Sequence, residues 1–466
     1  MAITVPAMSD TTEPNLLQEL TSRTRGAVHV PGTDDYERTR VGMQLLAEHR
    51  PEVVIEAANA EDIQAAVQTA ARFGVAVAAH RTGHGQGSGI QRGVLVHTRN
   101  MVEVRPDPDR RTAWVAAGAR WQEVIDAAAP HGLAPLSGSS ADVGAVSYTL
   151  GGGVGLLARR FGFAADHVRR VDLVTGQGEL REVTASTDPE LFWAVRGAGC
   201  SLGLVTGMEI DLFPVPRLFG GSLYLDATET PEVLESWRQW TQTVPEEMTS
   251  GVSILTYPDM DGVPEPMRGR LIAQLSVSWS GEPEQGPALV EPLRAVAPVV
   301  MDTLGELSYA DSGRIFDEHH DQAGFAGRSV LVDDLPADAS TELVRRLAEP
   351  APFLRVVGLR HLGGALAREP HFANALGHRA AEYSISVLTF ADPAAPVDTA
   401  QMRAFRAEAA GLFAAQARGR SATLAFGPQT PAEVREAFEP EDHRRLVALR
   451  TELDPQGVLH SHRPLE

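Results

Sequence analysis

Two glycine-rich segments constrain the fold of this chain more than any other feature of its sequence. The first, residues 81–89, follows a predicted buried strand at 75–79. The second, residues 151–155, precedes a predicted helix start at 156–160. Glycine lets the main chain approach a ligand closely, and successive N–H groups then form an anion-binding concavity. Either segment alone could be a flexible turn, but the two together predict a chain wrapped around a dinucleotide.

Other kinds of nucleotide-binding motif are absent from the sequence. Neither glycine segment has the Gly-x-Gly-x-x-Gly spacing of a Rossmann domain, and no acidic residue stands where a ribose would need it. The chain contains no lysine, which excludes a Gly-Lys-Ser/Thr phosphate loop. A third segment suited to close approach of the main chain, residues 197–206, contains Gly203 and Val205. The sequence therefore predicts a flavin held by a different fold.

Charge and composition narrow the class of partner. The chain has 61 acidic and 41 basic residues, a net charge of −20, which disfavours binding to nucleic acid. Its one cysteine, Cys200, excludes an intrachain disulfide and a thiolate metal cage. No stretch reaches membrane-spanning length, and residues 1–20 lack a secretion-signal pattern. Adjacent His319 and His320 are typical of a solvated segment. We expect a cytoplasmic protein with no nucleic-acid, membrane or metal partner.

The pattern of strands and helices divides the chain into three segments. Short predicted strands alternate with helices as far as residue 216, where a proline-rich stretch marks a boundary. Alternating apolar segments with helices between them then predict an α+β domain. We predict a dinucleotide-binding domain at 28–216, a substrate domain with an antiparallel sheet at 217–420, and a segment at 421–466 that returns to the first domain.

Several motifs in a fixed order carry a family resemblance. They are Thr82-Gly83-His84-Gly85, Gly118-Ala119-Arg120-Trp121, Ser137-Gly138-Ser139-Ser140, Tyr148-Thr149-Leu150-Gly151-Gly152-Gly153, Asp188-Pro189-Glu190-Leu191-Phe192-Trp193 and Asp454-Pro455. In this order the chain resembles the berberine-bridge-enzyme-like branch of the vanillyl-alcohol-oxidase flavoproteins, and in particular bacterial members with Thr-Gly-His-Gly. The resemblance is close in the first domain and the C-terminal segment and looser between them. It implies an α+β fold with a PCMH-type FAD-binding domain of two subdomains and an α+β substrate domain with an antiparallel sheet.

The resemblance also implies which residues hold FAD. The predicted cofactor-binding residues are Arg81, Thr82, Gly83, His84, Gly85, Gly89, Ser137, Ser140, Gly144, Gly151, Gly152, Gly153, Gly155, Gly203, Val205 and His462. His84 matches the histidine that is bonded to the flavin 8α carbon in relatives, although it could instead only donate a hydrogen bond to the cofactor. Ser140 stands where some relatives have a second, cysteine link, so the resemblance implies covalent attachment through His84 alone.

The catalytic groups are harder to predict. Many relatives carry a Tyr-x-Asn segment near the flavin, but the matching stretch here is Thr423-Leu424-Ala425-Phe426. Tyr148 replaces a histidine beside the flavin and is a candidate for contact with the ring or the substrate, with core packing as the alternative. Arg360 and His361 are neighbours on a predicted strand, so only one of them can face the flavin. If that one is His361, then His361 or Tyr383 is the predicted base; otherwise both are core residues.

The predicted function is that of an FAD-dependent oxidase. It would take a hydride from a small natural product or a sugar-like substrate to flavin N5 and pass the electrons to dioxygen, in secondary metabolism. The missing Tyr-x-Asn segment leaves two alternatives. One is a flavin-containing protein that binds a metabolite, as in resistance, with little turnover, and the other is a dehydrogenase with a different electron acceptor. The substrate and the oligomeric state do not follow from the sequence.

Overall fold

The computed structural model describes residues 15–318, 321–391 and 398–465, so His319 and His320 lie outside the described residues. Within these ranges no helix is both long and apolar enough to cross a membrane. The described residues also contain no group of three or more His, Cys, Asp or Glu side chains arranged to hold a metal ion.

The described chain forms three sheets with helices around them. The strands are β1 Ala27–His29, β2 Val53–Glu56, β3 Val77–His80, β4 Val94–His97, β5 Val104–Asp107, β6 Thr112–Ala116, β7 Val168–Val174, β8 Leu180–Val183, β9 Leu204–Asp211, β10 Arg217–Asp226, β11 Met248–Thr256, β12 Leu271–Trp279, β13 Val299–Asp302, β14 Gly305–Ser308, β15 Phe325–Val332, β16 Leu354–His361, β17 Tyr383–Phe390 and β18 Ala417–Gly419. The α-helices are α1 Leu16–Arg23, α2 Asp34–Arg40, α3 Ala60–Phe73, α4 Trp121–Ala128, α5 Ala145–Leu150, α6 Ala158–Phe161, α7 Pro189–Ala198, α8 Val233–Thr241, α9 Gly286–Val290, α10 Ala337–Ala348, α11 Thr399–Gly411, α12 Pro431–Arg435 and α13 Pro440–Leu453.

A four-stranded sheet in the order β1-β2-β4-β3 positions the first glycine segment. Strands β2, β4 and β3 are parallel, and every residue of β2 and β4 is buried, as expected for parallel strands covered on both faces. Helix α3 begins at Asn59, whose side chain accepts a hydrogen bond from the Asp62 N–H, and ends at Gly74 in the left-handed conformation. Segment 81–89 starts directly after β3, so the sheet fixes the origin of this loop.

A second sheet, in the order β5-β6-β9-β7-β8, is antiparallel and supports the second glycine segment. Its core contains Trp121, Val124 and Ile125, so the apolar side of α4 faces the sheet. Strands β7 and β8 of this sheet form a hairpin around residues 176–178.

A nine-stranded antiparallel sheet spans Arg217–Gly419 and has two chemically different faces. One face is apolar and packs against α8, α10 and α11. Side chains alternate along each strand, so the residues between the apolar ones share the opposite face. We call this the polar face. It consists of one row across the sheet, Ser222, Ser276, Gly251, Arg360 and Ser384, and a second row, Gln274, Ser253, Gly358, Ser386 and Ser329. The mixture of helices with these sheets confirms the predicted α+β class.

The C-terminal segment joins the first sheet. The Val77 N–H donates to the Val458 carbonyl at 2.7 Å, and the His460 N–H donates to the Val77 carbonyl at 2.8 Å. Residue Leu459 thereby forms a bridge with β3, on the edge of the sheet that precedes the first glycine segment.

The helix start predicted at 156–160 is present, but the helix is too short to make the second glycine segment the mouth of a long helix. Helix α6 begins at Ala158 and has 4 residues, whereas Gly151 is the cap that ends α5. Gly152 and Gly153 have φ angles of 122° and 75°, a conformation that a helix cannot continue and that glycine tolerates best. The segment is therefore a linker between two short helices and not the mouth of a long one.

Candidate active site

The glycines of the first segment serve two different purposes. A Cβ atom on Gly87 would collide with the His462 carbonyl oxygen, and one on Gly89 would collide with the Glu48 carbonyl oxygen. Gly83, with a φ of 73°, lies against Gly42. These positions require glycine because main chains pack closely there. Gly85 differs, since a Cβ atom on it would meet, among the described residues, only Arg463 Nη2 at 3.5 Å.

The guanidinium of Arg463 lies between the two glycine segments. Its Nη2 faces Gly85, and its Nη1 lies 3.6 Å from the position of a Cβ atom on Gly151. Within the described part of the chain this guanidinium has no hydrogen bond and no carboxylate partner. Burial lowers the pKa of the Arg463 side chain to about 10, which leaves it charged at neutral pH. The two segments predicted to bind a dinucleotide thus converge on one uncompensated cation.

Tyr148 is enclosed by glycines. A Cβ atom on Gly138 or Gly153 would meet its ring at 2.8 or 2.7 Å, and one on Gly155 would meet its hydroxyl at 2.9 Å. The ring also contacts Trp121 edge-on, with centroids 5.5 Å apart. The Tyr148 hydroxyl is buried without a hydrogen-bond partner among the described residues, and burial raises the pKa of this phenol. The phenol is therefore neutral and has an unused donor.

The remaining residues of the predicted cofactor set lie around these two segments. His84 occupies the turn after Gly83 and is half-buried. The buried Ser140 hydroxyl has no hydrogen-bond partner in the described residues. Ser137 is hydrogen-bonded to the Tyr309 hydroxyl at 2.8 Å, a contact between the first and second domains.

The others are held by neighbouring main chain. Arg81 donates to the Gly118 carbonyl at 2.7 Å and lies beside Gly144, which precedes α5. The Thr82 carbonyl accepts from the Met43 N–H at 2.8 Å. His462 has its two ring nitrogens 3.0 and 3.1 Å from the Ser88 and Ala79 carbonyls.

Gly203 and Val205 lie at the start of the sheet strand β9. A Cβ atom on Gly203 would meet the Leu173 side chain at 2.8 Å, and Val205 is buried in the first-domain core. The structure therefore joins residues 81–89, 137–155 and 462–463 in one region and leaves the Val205 side chain in the core beside it.

His361 and Tyr383 lie on the apolar face of the nine-stranded sheet. Their rings stack with centroids 5.7 Å apart and both contact Trp237. The Tyr383 hydroxyl is bonded to Thr241 and Gln242, and His361 Nδ1 is 2.9 Å from Arg159 Nη1. Burial lowers the pKa of His361 to about 3. Of the two possibilities given by the sequence, catalytic base or core residue, the structure has both side chains in the core. They point away from the glycine segments and cannot serve as a base there.

Arg360 faces the glycine segments in their place. Its Nη2 donates to the Ser139 hydroxyl at 3.3 Å, and the guanidinium lies over the Phe316 ring at 4.0 Å from the centroid. Alternation along β16 gives one of Arg360 and His361 to each face, and the sequence alone could not decide which.

A cleft separates the second glycine segment from the second domain. Its empty volume, including the solvent at its mouth, is ≈ 560 Å³, and its lining includes Gly151, Ser384 and Thr423. The Thr423 hydroxyl donates to the Gly151 carbonyl at 2.8 Å. The stretch that replaces Tyr-x-Asn therefore lies against the glycine segment, but its first side chain is used in a structural contact.

Sequence reasoning missed a group of histidines behind the first glycine segment. The ring of His80 lies 4.9 Å from that of His49 and 4.6 Å from that of His97. Burial, with the neighbouring cations, lowers the pKa of His80 to about 4 and that of His97 to about 2. Their spacings of 31 and 17 residues along the chain gave no signal. The parallel pairing of β3 with β4 brings His97 to His80, and His49 is held separately by a hydrogen bond from the Ile90 N–H.

We expect this histidine group to make the protein sensitive to acid. A histidine whose pKa is lowered by folding does not reduce the free energy of unfolding at a pH above its unfolded-state pKa of about 6.5. As the pH falls from 6.5 towards the pKa in the folded state, the unfolded chain binds a proton that the folded protein does not, and the fold loses stability. For His80 this window runs from pH 6.5 to about 4. The free energy of unfolding should fall by about 1.4 kcal/mol per pH unit for each such histidine. Thermal unfolding against pH measures this, and His80→Gln should flatten the slope; an unchanged slope would contradict it.

The site residues fit FAD on the observations of this structure. Gly85 leaves the main chain open beside a charged guanidinium that also lies near Gly151, as an anionic dinucleotide requires. The Ser140 and Tyr148 hydroxyls, buried and unsatisfied within the described chain, offer hydrogen bonds to a polar ring system.

Comparison with known proteins decides the cofactor. Residues 51–184 match the FAD binding domain family. Residues 51–184 therefore form an FAD-binding domain. The chain is 32% identical over 170 residues to (R)-6-hydroxynicotine oxidase of Paenarthrobacter nicotinovorans, covering 36% of the chain and 37% of the relative. It is 28% identical over 322 residues to xylooligosaccharide oxidase of Thermothelomyces thermophilus, covering 65% and 61%. The similarity thus spans less than two thirds of either relative.

Solved structures share the fold of nearly the whole chain. Berberine-bridge-enzyme-like 1 of Physcomitrella patens superimposes with a TM-score of 0.80 at 20% identity, covering 97% of this chain and 100% of that one. Carbohydrate oxidase of Microdochium nivale gives a TM-score of 0.81 at 20% identity, covering 97% and 99%. These similarities support the predicted resemblance, the solved structures confirm the predicted fold, and the match at residues 51–184 gives FAD as the cofactor. The domain boundaries and the individual site residues stay predictions.

Proposed function

We propose that this protein is an FAD-dependent oxidase of a small polar molecule in secondary metabolism. Bound FAD would supply the two-electron acceptor, taking a hydride from a carbon next to oxygen or nitrogen at flavin N5 and giving hydrogen peroxide with dioxygen. The relatives named as a 6-hydroxynicotine oxidase and a xylooligosaccharide oxidase support this class of reaction.

One observation carries the proposal. Both glycine segments contact the Arg463 guanidinium, and the polar face of the second domain lies over the same region through Arg360 and Ser139. A cofactor held by these segments would therefore have a substrate cleft on its second-domain side, which Gly151 and Ser384 both line. Polar groups around a concave site between two domains are typical of a small-molecule site.

The protein's own residues would act as follows. Arg463 would neutralise negative charge on the cofactor, and the main chain of 151–153 would approach it closely. Because its pKa is raised by burial, Tyr148 would stay protonated and donate a hydrogen bond rather than accept a proton. We infer that the proton of the substrate leaves through a group other than His361 and Tyr383, since both lie in the core.

We also propose that His84 is the single covalent link to the flavin. The resemblance of Thr82-Gly83-His84-Gly85 to the motif of histidine-linked flavoproteins supports attachment through this histidine, and Ser140, where others have a cysteine, has no thiol to form a second bond. Acid precipitation of the protein should give a yellow pellet, and His84→Ala should give a colourless pellet with yellow supernatant, because the variant can hold FAD only without a bond. Asn100→Ala, a change outside the glycine segments, is the control. A yellow supernatant from the unaltered protein would refute the covalent link.

Peroxide formation tests the oxidase itself. A substrate should bleach the flavin without oxygen, and air should restore the colour with stoichiometric hydrogen peroxide. Bleaching that air reverses only slowly would favour the dehydrogenase with another acceptor. Ligand binding without any bleaching would favour the metabolite-binding protein.

A further inference from the structure

The polar face of the nine-stranded sheet carries buried polar atoms that have no hydrogen-bond partner among the described residues. Arg360 on β16 is paired with Gly251 on β11 and with Ser384 on β17, and Gly358 is paired with Ser253 and Ser386. Directly opposed residues in a sheet have Cβ atoms about 5 Å apart, so these side chains form one compact group.

Three members of this group lack a hydrogen bond within the described residues. They are Arg360 Nη1, Ser384 Oγ and Ser386 Oγ, and each of these atoms is buried. A buried donor without a partner costs about 1–3 kcal/mol, and native proteins keep few of them. Their convergence on one face, opposite the glycine segments, indicates that a polar ligand supplies the missing partners.

Two glycines make room for this ligand. A Cβ atom on Gly251 would meet Arg360 Nη1 at 2.6 Å, so glycine at this position is what allows the guanidinium to lie across the sheet. A Cβ atom on Gly358 would have, of the described atoms, only Ser253 Oγ within reach, at 4.0 Å. The space above Gly358 is therefore open and is bordered by Arg360 and Ser386.

The charge of Arg360 is poorly compensated. Its carboxylate partner among the described residues is Glu318, at 3.7 Å, and that side chain is 42% exposed, whereas the Arg360 side chain is 19% exposed. Phe316 and Ser139 fix the orientation of the guanidinium without neutralising it. A guanidinium fork matches a planar carboxylate, and one cation balances one negative charge, which favours a carboxylate over a doubly charged phosphate.

We propose that the polar face binds the carboxylate of an anionic, hydroxyl-bearing substrate, with Arg360 donating to the carboxylate and Ser384 and Ser386 bonding to its neighbouring polar groups. That the bound molecule is the substrate rests on the proposed function, because Ser384 lines the cleft that we place beside the cofactor. Arg360 acts here on the bound molecule and takes no part in electron transfer.

Binding to the flavin-loaded protein tests the inference without turnover. Two carboxylates, D-glucuronate and benzoate, are titrated at constant ionic strength beside their neutral counterparts, D-glucose and benzamide. Flavin absorbance changes and the shift in unfolding temperature are the readouts. We expect at least one carboxylate to bind at least about tenfold more tightly than its counterpart, and Arg360→Gln to abolish that preference while Arg360→Lys keeps part of it. Arg92→Gln, at a side chain 82% exposed, is the control.

A second variant keeps the inference testable if Arg360→Gln does not fold. Gly358→Val would fill the open space while keeping the charge, and it should weaken carboxylate binding by a similar factor. Equal binding of each carboxylate and its neutral counterpart, or an unchanged preference in folded Arg360→Gln or Gly358→Val, would overturn the inference. Carboxylate preference without peroxide from any substrate would instead refute the oxidase and leave this site standing.

Discussion

Replacing Arg463 by alanine is expected to weaken FAD binding by about 30-fold or more. Removing one partner of a buried, charge-assisted contact costs about 2–5 kcal/mol, and about 1.4 kcal/mol is a factor of ten in affinity. The effect should be large because no other described side chain compensates this guanidinium, so its charge is available for the cofactor. A covalent bond would hide the change, so the dissociation constant of FAD should be measured in the His84→Ala background.

The matched variants make the Arg463 result specific. Arg463→Lys keeps the charge but loses the fork, and should recover part of the affinity. Arg92→Ala removes a solvent-exposed arginine and should leave the affinity unchanged. If FAD binds equally well to the Arg463→Ala and parent proteins, the guanidinium between the two glycine segments is a structural feature and not a cofactor contact.

Gly89→Ala is expected to destabilise the protein by about 3 kcal/mol or more. Its new Cβ atom would collide with the Glu48 carbonyl oxygen, and main chain cannot rotate aside as a side chain can. Overpacking of a close contact costs about 1–3 kcal/mol when flexible side chains can yield, so a main-chain collision should lie at or above that range. The unfolding temperature and the denaturant midpoint measure the loss.

Gly411→Ala is the matched control for this change. Gly411 is the last residue of α11, and a Cβ atom there would meet no described atom within 4 Å. Alanine should be neutral or stabilise by about 0.5–1 kcal/mol, because it reduces the freedom of the unfolded chain. Similar stability of the Gly89→Ala and Gly411→Ala proteins would show that the first glycine segment is loosely packed.

Local pattern was enough to predict much of the fold. Strand β2 and helix α3 follow directly from an apolar run and from a helical repeat capped by Asn59 and Gly74. The α+β class and the FAD-binding domain followed from the order of motifs. The short helices around 151–155 could not be predicted, because a run of glycines fits a helix mouth and a helix end equally well until the φ angles are known.

The parts of the candidate site that are formed by main chain could be predicted from the sequence. The parts that are formed by side chains from distant positions could not. Glycines 85 and 151 were visible as motifs, but Arg463 lies far along the chain and meets them only through the bridge between Leu459 and β3. Alternation along β16 placed Arg360 and His361 on opposite faces, while the choice of face depended on Trp237 and Tyr383 completing the core around His361. This packing involves residues far apart in the chain, so the local pattern around Arg360 and His361 does not show which face of the sheet each side chain takes.

The attachment of residues 458–460 to β3 sets an order of events during biosynthesis. The ribosome makes Val77 early, but its partner Val458 emerges only after the entire nine-stranded sheet has been synthesised. The first domain therefore cannot close its sheet, nor bring Arg463 to Gly85, while translation of the second domain is under way. Loading of the flavin should be a late, post-translational event, and truncated chains that stop before Val458 should accumulate without colour even when their first domain has collapsed.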